Sequence, residues 1–191
     1  MLTMTIFDAL ILIVLKILYF CTMEKEIVNK VAKANIVQID LSDYLPKNNI
    51  VLFDIKQALW QQQIVKEKGF RSFVKNYDWN TFNNQTVGVF CSVDAIIPAW
   101  AFMLITSQLL SVNATVFYGN KNEVTTQLFF DNLSKIDTNK LKGARVMVKG
   151  CSNIPNPTKA YIELTKLLIP VVKNLMFGEP CSAVPVFKVK N

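Results

Sequence analysis

Apolar positions along this chain fall into two alternating rhythms. Ile36–Leu41 (IVQIDL) and Ile50–Ile55 (IVLFDI) are short aliphatic runs separated by the turn Pro46-Lys47-Asn48-Asn49, and they predict strands. Glu67–Tyr77 carries Phe70, Phe73, Val74 and Tyr77 at helical spacing. A strand over Thr86–Cys91 (TVGVFC) follows, then a helix opened by Pro98, where the missing N–H costs nothing, and running to Leu110. Ala114–Tyr118 and Arg145–Lys149 read as strands, Glu123–Ile136 and Thr158–Leu168 as helices, and Pro170 breaks the last helix. Val184–Val189 reads as a final edge strand, and Glu24–Ala34 as a short leading helix.

Strands alternating with helices of this length require crossover connections. They predict an α/β fold: a single domain with a mostly parallel or mixed sheet of five to six strands and flanking helices. No internal repeat or linker stands out. In such folds ligands sit beyond the C-terminal ends of the strands. Residues 1–22 stand apart. Ile6–Cys21 is an apolar run interrupted by Asp8 and Lys16, shorter than the ~20 residues of a spanning helix and without a cleavage-site pattern. A translated upstream region with the true start at Met23 is the preferred reading, against a weak membrane anchor or a partner-binding amphipathic helix. The domain is then residues 23–191.

Composition narrows the function by exclusion. Hydrophobic residues make up 51% of the chain, as in a globular protein. The formal charge is +7, yet Arg71 and Arg145 are the only arginines and the lysines are scattered. Base and phosphate recognition favours clustered arginine, so no nucleic-acid partner is expected. The chain has no histidine. That excludes Ser-His-Asp and Cys-His catalysis and histidine-bearing zinc sites. A thiol-dependent enzyme would rest on Cys, Asp, Glu, Lys or Tyr. No glycine-rich loop cradles phosphates, so no nucleotide cofactor is expected. Four cysteines in a chain this long do not form a disulfide scaffold, and reduced thiols in the cytoplasm are the default.

The chemistry that stands out is a dipeptide used three times: Cys91-Ser92, Cys151-Ser152 and Cys181-Ser182, each in a turn-like setting. Cys91 ends one predicted strand and Cys151 follows another, so both are placed at the C-terminal rim, and Cys181 folds back to it after the tight Gly178-Glu179-Pro180 turn. Helix N-termini after Cys91 and Cys151 favour thiolates. Cys91, Cys151 and Cys181 are therefore candidate metal ligands, with Asp94 as a fourth, for zinc or an iron–sulfur cluster. Each thiol alone also reads as a small buried hydrophobe, and Asp94 as a turn cap. Lys149 and Glu179 fall near the same rim. Tyr161, Trp100, Phe102 and Met103 read as packing residues, and Trp79 as a clamp on its own turn.

Six segments carry a family resemblance: MEKEIVNKVA at Met23, FDIKQALW at Phe53, KEKGFRSFVKNYDW at Lys66, CSVDAIIPAWAFML at Cys91, KGCSNIP at Lys149 and GEPCSAVPVFK at Gly178. Over residues 23–191 the chain resembles the bacterial domain-of-unknown-function family numbered 2480, whose characteristic segments include the three Cys-Ser sites. No activity comes with that resemblance. An association of the family's genes with iron–sulfur cluster assembly suggests a setting and a protein partner. The layout from the two early strands through CSVDAIIPAWAFML is also similar to STAS-like domains, where an acidic turn forms a partner-binding edge. Here Ser92 and Asp94 stand in that turn, but Pro98 replaces the usual Ser-Gly. Two expectations follow: a cysteine-thiolate accessory protein of cluster assembly, or a STAS-like interaction module with structural cysteines.

Overall fold

The structure, a computed structural model, describes residues 36–150, 153–179 and 182–190. Residues 1–22 and the helix expected over Glu24–Ala34 lie outside the described residues, as do Cys151 and Cys181. β1 (Ile36–Ile39) and β2 (Ile50–Asp54) each run into an aspartate that stops the strand. The Asp40 and Asp54 carboxylates accept from the N–H groups of Ser42 and Lys56, both at 2.9 Å, and so cap single 3-10 turns at Leu41–Tyr44 and Ile55–Ala58. Then come α1 (Glu67–Asn76), β3 (Thr86–Phe90), α2 (Ala99–Ser111) and β4 (Thr115–Tyr118). They are followed by α3 (Lys121–Ser134), β5 (Arg145–Val148), α4 (Pro157–Leu168), β6 (Asn174–Phe177) and β7 (Val184–Lys188).

The α/β class holds and the strands are mostly parallel, but they divide between two sheets instead of forming one of five or six. β2, β3 and β4 make a parallel three-stranded sheet, and β1, β5 and β6 make the parallel part of a four-stranded one. β7 closes the latter by pairing antiparallel with β6. Each sheet has its own apolar core, one around Phe53, Phe70 and Ile105, the other around Ile39, Phe129 and Leu164.

The two sheets are copies of one another, and here the expectation of no internal repeat is corrected. Residues 59 apart occupy equivalent places from Phe70/Phe129 to Gly119/Gly178. The buried faces match in the first helices (Phe70, Val74 with Phe129, Leu133) and in the second (Ala101, Ile105, Leu109 with Ala160, Leu164, Leu168). Asp78 and Asp137 cap matching 3-10 turns. Phe102 meets Tyr118 edge-on just as Tyr161 meets Phe177. Gly119 and Gly178, at φ +124° and +115°, make the same turn out of the third strand and donate their N–H groups to Val89 and Val148 at 2.9 Å. The first copy is continuous from β2 to β4. The second is split by it: β1 comes before the first copy, and the rest resumes at α3.

α3 ties the copies together. Val124 near its start packs against Gly88 of β3, where an added Cβ would lie 2.8 Å from the Gly119 carbonyl and 3.0 Å from Val124. Phe129 and Leu133 farther along are fully buried in the other core. Among the described residues no helix is long and apolar enough to cross a membrane.

Candidate functional site

The duplication assigns each described polar residue at a strand end a counterpart. Asp40 and Asp54 stand at the C-terminal ends of equivalent strands, and each anchors the loop that leaves the neighbouring strand. Asp54 receives the Ser92 N–H at 3.1 Å, fixing the loop after β3. Partial burial pushes the Asp54 carboxyl up, but hydrogen bonds from Ser92 and the Lys56 N–H, with the Lys56 charge, outweigh it and hold the group below its ordinary range. Asp40 instead receives the Lys149 ammonium at 3.2 Å, fixing the chain after β5. Hydrogen bonding to Asp40, with the charges of Asp40, Glu179 and Asp43, raises the Lys149 pKa.

The copies differ in charge and polarity at three of these places. Lys149, Tyr161 and Glu179 occupy the places that Phe90, Phe102 and Asn120 take in the first. The Tyr161 hydroxyl donates toward the carbonyls of Lys149 at 3.3 Å and Gly150 at 3.4 Å, while its ring stands edge-on to Phe177. Gly150 passes so close over the Phe177 ring that a Cβ there would sit 2.9 Å from Cζ. The residues leading to Cys151 are thus held by an ion pair, a tyrosine hydroxyl and an aromatic face. β5 and β6 are parallel neighbours with Val148 opposite Phe177, so Lys149-Gly150 and Gly178-Glu179 leave the sheet side by side.

Of the expected site residues, the structure describes Cys91 and Asp94. Cys91 lies at the end of β3, in the three-stranded sheet, half-buried, with its thiol donating to the Val93 carbonyl at 3.2 Å. Asp94 is exposed in the same loop. The chain approaches Cys151 and Cys181 from the four-stranded sheet. Among the described residues no group of three or more Cys, Asp or Glu side chains is gathered as a metal set. Trp79 clamps its turn as expected, donating its ring N–H to the Val74 carbonyl at 2.8 Å, and Tyr161 is packed. Met103, expected in the core, is 71% exposed: the buried stripe of α2 runs through Ala101, Ile105 and Leu109, and Met103 sits about 200° around the helix from Ala101. Asp40 and Asp54 were missed as anchors. Their signal was the repeated N-I-V-x-x-D-[LI] of residues 35–41 and 49–55.

Fold and rim together define a duplicated α/β protein with polar residues beyond the strand ends of both copies. The chain belongs to the family described as protein of unknown function, DUF2480, whose profile matches residues 25–189. No curated protein and no solved structure matches it.

Proposed function

We propose that the protein is a cytoplasmic accessory factor that holds zinc or an iron–sulfur cluster, or carries sulfur during cluster assembly, on cysteine thiolates. Cys151 and Cys181 are the central ligands, with Cys91 as the third and Asp94 available as the fourth. The observation that carries this reading is the side-by-side exit of Lys149-Gly150 and Gly178-Glu179 from β5 and β6, with Cys151 next in sequence after Gly150 and Cys181 two residues after Glu179. Lys149, two residues before Cys151 in the sequence, supports it, because a neighbouring cation favours the thiolate form. The divergence of Lys149 and Tyr161 from their counterparts Phe90 and Phe102 supports it again, since packing alone asks nothing polar at those places.

The whole chain, purified without oxygen, is expected to carry iron with sulfide, or zinc, near one site per chain. Cys151→Ala and Cys181→Ala are expected to abolish this content, and Cys91→Ala to reduce it. Metal-free protein with unreactive thiols would refute the reading. It would favour the STAS-like interaction module, which draws on the exposed apolar residues Ile96 and Met103 beside the three-stranded sheet.

A further inference from the structure

The duplication also shows what a bare edge of this molecule is built to receive. In the second copy the outer edge of β6 is covered by β7, which runs antiparallel to it and sets Phe187 opposite Leu175 and Val184 opposite Phe177. In the first copy β4 is the equivalent strand, and no described strand pairs with its outer edge. The contrast shows in exposure: Phe177 is half-buried, whereas its counterpart Tyr118 is 72% exposed. β4 reads TVFY, with no proline, charge or bulge to blunt the edge, which are the usual defences of an edge strand.

We infer that β4 pairs antiparallel with β4 of a second copy of this chain, joining two three-stranded sheets into one of six strands across a two-fold axis. The β4 sequence suits itself as a partner. The N–H groups of Thr115 and Gly119 turn inward to Gln85 and Val89, so those of Val116 and Tyr118 face outward. A two-fold axis normal to the sheet at Phe117 sets Val116 opposite Tyr118 of the second copy, and Tyr118 opposite its Val116. Both outward residues of each strand are then hydrogen-bonded. The pairs formed are aliphatic–aromatic, as in Leu175 with Phe187 and Val184 with Phe177, so self-pairing recreates the chemistry that β7 supplies to β6. Two Phe117 rings face each other at the axis, and no like charges meet there. A two-fold isologous contact closes on itself and so forms a dimer, not a fibre.

Sedimentation of the full chain over a concentration series tests this. A reversible dimer is expected. Tyr118→Lys, a change at an exposed position, is expected to weaken it at least about tenfold, because a lysine blocks edge pairing. Phe117→Lys and Phe117→Glu place like charges at the axis, so each alone is expected to be monomeric and an equimolar mixture to restore the dimer. Wild-type protein that stays monomeric overturns the inference and leaves the edge to a foreign strand. A dimer indifferent to Tyr118→Lys also overturns it, and that variant decides alone if the Phe117 variants do not fold. Metal content does not enter these readouts, so the thiolate reading stands or falls separately.

Discussion

Asp54 shows how much one side chain organises here. It ends β2, caps the 3-10 turn through Lys56 and holds the Cys91 loop through Ser92. Its carboxyl lies below the ordinary range when folded, so the stability its charge supplies is complete above the ordinary carboxyl value near 4 and is lost as pH falls through the folded value. Asp54→Asn keeps an acceptor and removes the charge. In urea unfolding at pH 7 it is expected to cost about 1 kcal/mol, with the gap to wild type closing as the pH is lowered through the carboxylate range. A gap that persists in acid would assign the loss to shape instead of charge. At this scale the sequence was legible where a side chain meets its own neighbourhood, as Trp79 does with Val74. It misled at Met103, because helical phase, not hydrophobicity, decides which face is buried, and α2 is apolar on most sides.

The helices and strands that carry strong periodicity were readable to within a residue or two, including the antiparallel edge strand β7. β6 was not. Its four residues, NLMF, follow Pro170-Val171-Val172-Lys173 in an apolar stretch with neither a clear alternation nor a turn signal. The 3-10 turns were hidden for a related reason: each is one turn long and is set by an aspartate whose carboxylate reaches the N–H two residues on. Nor does hydrophobic pattern reveal where α3 lies. Its place is fixed by Gly88, whose counterpart in the other copy is the buried Met147. Gly88→Ala drives a Cβ against the Gly119 carbonyl, a backbone atom that cannot swing aside, and against Leu52 and Val124. A destabilisation of about 1–3 kcal/mol in denaturant unfolding is expected.

Two copies joined by one helix should unfold as one body. All three tryptophans, Trp60, Trp79 and Trp100, lie in the first copy. Leu164→Ala empties a fully buried position in the second and is expected to cost about 2–5 kcal/mol. If α3 couples the copies, tryptophan fluorescence and far-UV circular dichroism will shift together. A fluorescence transition left in place would show independent halves. Beyond the repeated N-I-V-x-x-D-[LI], the duplication was hidden in the sequence because the copies share buried positions and turn geometry more than identities, and because one of them is interrupted. That same interruption orders events during synthesis. β1 leaves the ribosome before the other described strands, and its strand partner among the described residues, β5, emerges only after the entire inner copy. Long-range pairing is the slow part of folding, and chains emerging from the ribosome fold as units in order of appearance. A nascent chain paused just past Gly119 already holds every strand of the three-stranded sheet, whereas β1 waits for its partner until Arg145–Val148 is made, so the oldest described strand joins a sheet only after three younger ones have paired.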